Sequence, residues 1–412
     1  MTEKAVKPEI RFAGFNDAWE QRKLGDVVKE ITRNDPESEA PIMMITANNG
    51  FIEQSERYAF NNAGESLKKY ILLKKGELAY NHGASKLRPY GSCFALTTAE
   101  NARIPFVYHC FSAENQNAEF MSIELNGAEI ENQLRKIVSS GARMDGLLNI
   151  SFDEYTSVSV LLPGTEEQDR IADFFRHLDN LITLHQRKYD KLTKVKKSML
   201  EKMFPKNGAN VPEIRFKGFS DAWEQRKLGE MGQTYTGLSG KTKDDFGHGQ
   251  ARFVTYMNVF SNPISNPEMT EPIEIDPKQN EVEVGDVFFT TSSETPEEVG
   301  MSSILLEKRG KTYLNSFCFG FRPSEKIDSY YLAYMLRSES ARAKITLLAQ
   351  GISRYNISKN KVMEIAVSLP SLDEQKMIGQ YFSQLDNLIT LHQRELEKLK
   401  NIKKACLEKM FV

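Results

Sequence analysis

At 412 residues the chain exceeds what one hydrophobic core supports, so two or more domains are expected. With 40% hydrophobic and 27% charged residues it is globular rather than disordered, and a net charge of −2 leaves a nucleic-acid partner open without arguing for one. The opening MTEKAVKPEIRF carries no signal-peptide run, no stretch approaches the roughly 18 apolar residues of a membrane span, and four cysteines without a CxxC pair suggest neither a disulfide framework nor a cysteine zinc site; the expectation is a cytoplasmic protein.

Taken in chain order, the first feature is Pro8–Gly25, PEIRFAGFNDAWEQRKLG. It returns at Pro212–Gly229 as PEIRFKGFSDAWEQRKLG, with 16 of 18 positions identical and the two tryptophans, Trp19 and Trp223, at the same place in each copy. Residues 26–161, which follow, are strand-like and share only scattered echoes with 230–368, such as Asn149-Ile150-Ser151 against Asn356-Ile357-Ser358. From Glu166 to Phe204 the period becomes helical. Ile171, Leu178, His185, Leu192 and Met199 form one heptad row, Phe174, Leu181 and Val195 a second, and Phe175, Ile182, Tyr189 and Met203 widen the stripe. The turn-rich PKNGANVP leads into the second copy, whose closing helix repeats LDNLITLHQR and LEKMF. Its rows are Ile378, Leu385, His392, Leu399 and Cys406, then Tyr381, Leu388 and Ile402, with Phe382, Ile389, Leu396 and Met410 beside them.

Each half is thus matched, unlike, matched. The pattern predicts an α+β protein: two globular mixed domains joined by two long antiparallel coiled-coil helices and related by a pseudo-two-fold repeat. The boundaries fall at 1–161, 162–204, 205–368 and 369–412. A helix of about 38 residues would reach roughly 57 Å, and the short linker makes antiparallel packing the simplest connection. His185 and His392 read as polar residues that fix register in an apolar seam, with metal ligation or a proton switch the lesser alternatives. Lys188, Lys191, Lys194, Lys196 and Lys197 read as a solvated face, and the tryptophans as buried locks on the frame.

Searches for chemistry fail together. Gly237–Thr242 lacks the first glycine of a phosphate loop, because Tyr235 stands there, and no helix pattern follows it. Asn262-Pro263-Ile264 and Asn266-Pro267-Glu268 lack the second proline and aromatic that hold a flipped base in an adenine methyltransferase. No glycine-rich cofactor element occurs, and the remaining histidines stand apart.

The repeated PEIRFxGFxDAWEQRKLG segments and the two LPxxxEQxxIxxxFxxLDNLITLHQR helices, opened by Leu162-Pro163 with Glu167-Gln168 and by Leu369-Pro370 with Glu374-Gln375, resemble those of specificity subunits of type I restriction–modification enzymes, over essentially the whole chain. The resemblance implies two target-recognition domains, each reading one half of a split site in double-stranded DNA. It implies helices that set the unread gap and dock two methyltransferase subunits, joined by motor-endonuclease subunits, with no membrane partner. It implies a non-catalytic chain holding no metal or cofactor, with S-adenosylmethionine, ATP and Mg2+ in the partners. Half-sites one DNA turn apart lie about 34 Å from centre to centre, within the reach of such helices. A self-contained DNA methyltransferase with a degenerate motif and a coiled-coil scaffold for proteins are the competing readings.

Donor- and acceptor-bearing residues in loops after strand-like runs are the candidates for DNA contact. In the first domain these are Asn81, His82, Ser85, Lys86, Arg88, Tyr90 and Arg143. In the second they are Ser239, Lys241, Thr242, Thr290, Thr291, Ser292, Ser293 and Arg354. Ile171, Leu178, Leu181, His185 and Leu192, with Ile378, Leu385, Leu388, His392 and Leu399, are the candidates for the seam and subunit docking.

Overall fold

The structure is a computed structural model that describes residues 7–47, 50–57, 64–138, 147–206 and 208–411. The chain divides into two compact units, residues 1–184 with 395–412, and residues 185–394. The division falls inside both long helices, Thr165–Lys202 and Leu372–Met410, so each unit takes the start of one helix and the end of the other.

The repeated segment acts as a clamp on the start of a helix. In the first unit Glu20–Lys23 pairs antiparallel with Ser159–Leu162, the strand that leads into the helix at Thr165; in the second, Glu224–Lys227 pairs with Ala366–Leu369. The EQ of each helix opening closes the clamp. Glu167 accepts both Nε and Nη2 of Arg11 at 2.6 Å, and Glu374 accepts the same pair from Arg215 at 2.7 Å. Gln168 donates to the Pro163 carbonyl and accepts the amide of Asn117; Gln375 donates to the Pro370 carbonyl and accepts the amide of Asp328. Asn117 and Asp328 cap the helices Ala118–Glu124 and Ser329–Met335, so one glutamine ties two helix starts together. Trp19 and Trp223 are buried locks, as expected. Trp19 meets Phe120 and Phe411 edge-on, and Trp223 meets Tyr331 and Phe204 likewise. This explains the repeated LEKMF: the end of each long helix packs on the tryptophan of the unit it reaches.

Sequence identity is low in the variable regions, yet their central sheet is shared. Four antiparallel strands run in the order Val28–Glu30, His109–Ala113, Leu78–Asn81, Ser92–Ala95 in the first unit. In the second the order is Gly232–Thr236, Cys318–Pro323, Val287–Thr290, Ser302–Ile304. The accessory sheets differ. The first unit has two hairpin-like pairs, Met43–Thr46 with Gly50–Glu53 and Ile71–Lys74 with Asn101–Ile104. The second has three strands around Phe246–Val254, one pairing parallel.

Within each unit the helix segments run antiparallel. In the first, Phe175 meets Phe411 with the rings tilted at 52°, and Asp179 pairs with Lys403 at 2.5 Å. In the second, Phe204 stacks on Phe382, Lys196 pairs with Asp386 at 2.5 Å, and His185 meets His392. Ile171, Leu178, Ile378 and Leu385 are buried, and Leu192 and Leu399 pack half-buried against their units' cores. Two expectations are corrected here. The second row holds only in part: Phe174 and Val195 pack half-buried against their units' cores, but Leu181 turns outward, and Phe175, Ile182, Tyr189, Lys196 and Met203 lie buried or half-buried beside it. Leu181 and Leu388 are each 44% exposed, and Leu184 and Leu391 lie out with them. Positions three and four residues on from Ile171 both flank its row, and periodicity alone does not say on which side the partner helix lies. Lys196 is the other correction: it is no solvated lysine but sits over the Tyr334 ring, paired to Asp386.

Glu124 yields a pH prediction. It is buried beneath the strand that enters the helix, and its Oε1 accepts the amide of Leu161 at 3.0 Å. Burial pushes its carboxyl up from 4.5 to about 7. The folded state therefore holds this proton better than the unfolded chain, so its contribution is present below pH 4.5 and is lost as pH rises through 7. Glu124→Gln, which keeps the acceptor, is expected to stabilise the first unit by on the order of 2–3 kcal/mol at pH 8 and hardly at pH 4.5. Urea unfolding at the two pH values checks this; an equal effect at both would contradict it.

Candidate nucleic-acid interface

In each unit, the central strand that runs out of the sheet meets the segment around the Asn-Ile-Ser echo. In the first, the His82 carbonyl accepts the amide of Leu148, and Gly83 bridges to Leu147. In the second, Ser292 and Ser293 pair with Asn356 and Tyr355, and the Thr291 carbonyl accepts the amide of Ile357. The loops leaving this junction carry most of the candidate residues. They are unlike between the units, while the junction is alike.

In the first unit Asn81 is spent on the fold: its Oδ1 accepts from Gly83 and its Nδ2 donates to Ile45. His82 is buried among Tyr80 and His109 and is withdrawn from the surface. Ser85 and Arg88 close a turn on each other, the Ser85 amide to the Arg88 carbonyl and the Arg88 amide to Ser85 Oγ, both at 3.0 Å. That turn leaves Ser85, Lys86 and Leu87 exposed. Arg88 reaches back to the Asn126 carbonyl, and burial lowers its pKa despite Glu131. Tyr90 is half-buried, and its carbonyl accepts from the Tyr80 hydroxyl. Arg143 lies outside the described residues.

In the second unit Thr290 is fully buried and accepts the amide of Met301; Ser292 and Ser293 are buried too. These three shape the strand end and do not reach solvent, because a strand covered on both faces hides its hydroxyls. Thr291 donates its Oγ1 and its amide to the Phe317 carbonyl. Gln350 and Asn356 exchange backbone hydrogen bonds and hold up a loop whose residues 351–354, Arg354 among them, are exposed. Gly351 has φ +142°, and a Cβ there would come within 2.0 Å of the Arg354 carbonyl, so the tight fold of this loop needs glycine. Ser239 is exposed, its backbone held by Gln279. Lys241 is not free: Asp276 lies 2.9 Å away and Asp245 3.7 Å, and the Asp276 bond raises its pKa. Thr242 is exposed but donates to Asp245. The residues open to a partner are therefore Ser85 and Lys86 in one unit, and Ser239, Thr242 and Arg354 in the other. The sequence reading overlooked Leu87 and Ile352, apolar residues exposed at these loop tips, because periodicity signals burial and says nothing of tips.

Residues 220–401 match the family profile described as the type I restriction modification DNA specificity domain. Over these residues the chain is similar to the type I restriction–modification specificity family. Among its relatives, the type I restriction enzyme MjaVIII specificity subunit of Methanocaldococcus jannaschii is 24% identical over 286 residues, 66% of this chain and 65% of the relative. The putative MjaX specificity subunit of the same organism is 25% identical over 272 residues, 63% and 60% of the two chains. The chain thus spans under two thirds of the length of these relatives. In fold it is similar to the type I restriction–modification S subunit from M. genitalium, with TM-score 0.53, 14% identity and 99% of both chains covered. It is similar also to a chain solved in work on complex assembly and conformational transition of the type I R-M system, with TM-score 0.50, 16% identity and coverage of 97% and 99%. No helix among the described residues is long and apolar enough to cross a membrane.

Proposed function

We propose that this chain is the DNA-reading, non-catalytic subunit of a cytoplasmic type I restriction–modification complex. The observation that carries this is the duplicated frame with one shared four-stranded sheet and unlike exposed loops at the corresponding strand ends. A reader for an asymmetric split site needs that combination, since the frame must be constant while the side chains that meet base edges differ. Residues 1–161 and 205–368 are the two readers, and 162–204 and 369–412 the helices between which the unread gap is set. Ser85, Lys86, Ser239, Thr242 and Arg354 supply the donors for bases and phosphates. Arg88, Asn81 and Tyr90 position the first loop. S-adenosylmethionine, ATP and Mg2+ belong to the partner methyltransferase and motor-endonuclease subunits.

Methylation mapping in a host carrying this chain and its methyltransferase partner tests the reading. A split, adenine-methylated motif is expected; methylation without a motif, or none, would count against it.

Each copy of LDNLITLHQR leaves two leucines exposed, Leu181 with Leu184 and Leu388 with Leu391. One equivalent patch per unit suits two copies of one partner, the methyltransferase subunit. Leu181→Asp with Leu388→Asp is expected to leave the chain folded, because neither side chain is in the seam, and to lower methyltransferase recruitment by at least tenfold. Sedimentation of the mixed subunits reads this directly, with circular dichroism of the free chain as the control. Normal assembly by the double variant would remove the patches from the interface.

A further inference from the structure

We infer that His185 and His392 form a clip for one zinc-class divalent metal ion, each long helix supplying one imidazole. Their Nδ1 atoms lie 3.2 Å apart, with ring centroids at 5.1 Å and planes at 69°. Two nitrogens bound to one tetrahedral zinc at about 2.0–2.1 Å sit about 3.3 Å apart, so the spacing already fits. Without metal one ring donates Nδ1–H and the other accepts. Shifting that proton to Nε2 frees both Nδ1 lone pairs with no net proton release. The rings are half-buried, and the neutral imidazole is the form that binds a metal. Among the described residues no third His, Cys, Asp or Glu converges there, so the clip supplies two ligands and water completes the shell. Imidazole pairs of this kind take Zn2+, Ni2+ or Cu2+ rather than Mg2+ or Ca2+. Because each histidine comes from a copy of LDNLITLHQR, the metal holds the register at which the two copies meet. The role in DNA reading plays no part in this argument.

The test is calorimetric titration of the full-length chain with ZnCl2, with thermal melting alongside. One equivalent per chain and a melting temperature that rises with zinc are expected. His185→Asn and His392→Asn should each abolish uptake, since asparagine is tolerated at such seam positions, whereas Cys406→Ser should keep it. If an asparagine variant fails to fold, the wild-type chain decides: bound zinc should protect both histidines from diethyl pyrocarbonate, as mapped by mass spectrometry. No uptake, equal uptake by the asparagine variants, loss on Cys406→Ser, or unprotected histidines in the zinc-bound chain would each overturn the clip.

Discussion

Glu167→Ala is expected to destabilise the first unit by about 3–5 kcal/mol, the usual cost of removing one partner from a buried ion pair. The Glu167 side chain is 1% exposed and that of Arg11 13%, with two parallel hydrogen bonds between them. Arg11 also donates to the Asp17 carbonyl, so it cannot swing out to water without undoing the loop before Trp19. Alanine leaves that guanidinium enclosed without a counter-charge, and this is what costs energy. The pair itself adds little over an apolar one of like volume. Arg11→Met with Glu167→Leu should therefore recover most of the loss. Trp19 reports on this unit and Trp223 on the other, so urea unfolding followed by fluorescence in a Trp223→Phe background isolates the effect. Glu374→Ala should do the same to the second unit through Arg215. A loss under about 1 kcal/mol for either would show that the clamp holds without its charge.

Much of this frame was legible because duplication writes it twice. The helices, their extent, the burial of the tryptophans and the place of His185 and His392 in the seam follow from heptad spacing and from matched segments. What was not legible depends on three dimensions. Leu181 and Leu388 satisfy the same period as Ile182 and Ile389, and only the partner helix decides which face is covered. Lys196 and Lys403 break an apolar row in sequence, yet each finds an aspartate on the opposite helix, Asp386 and Asp179. Thr290, Ser292 and Ser293 look like a polar loop because three hydroxyl residues follow a strand-like run, but the strand continues through them and pairs again. Lys241 is a candidate DNA contact by sequence, but Asp276 and Asp245, one of them 35 positions away, close on it. The shared sheet was the least visible feature. Buried strands need only apolar residues of suitable shape, so two unlike sequences build the same four-stranded order.

If the proposed function holds, exchanging residues 26–161 for the corresponding segment of a known specificity subunit is expected to change one half-site of the methylated motif completely and leave the other unchanged base for base. All of 26–161 lies in the first unit, and the loops that carry Ser85 and Lys86 lie inside it. Since specific sites are bound about 10³-fold or more tighter than random DNA, the exchanged half should lose its old preference entirely rather than by degrees. The exchange does not stop at loops, because the segment reaches the frame at defined places. The Asn117 amide meets Gln168, the Asn117 side chain donates to Asp169, and residues 159–161 pair with Gln21–Lys23 of the repeated segment. A donor segment that keeps an amide N–H opposite Gln168 and a strand opposite Gln21–Lys23 should fold; one that lacks them should fail in stability before specificity. Retaining Asn117 and residues 159–161 in the exchanged segment separates the two outcomes. Methylation mapping of the exchanged complex then reads specificity alone. A motif altered in both halves would mean that the two readers are coupled through the frame, and the modular account would fall.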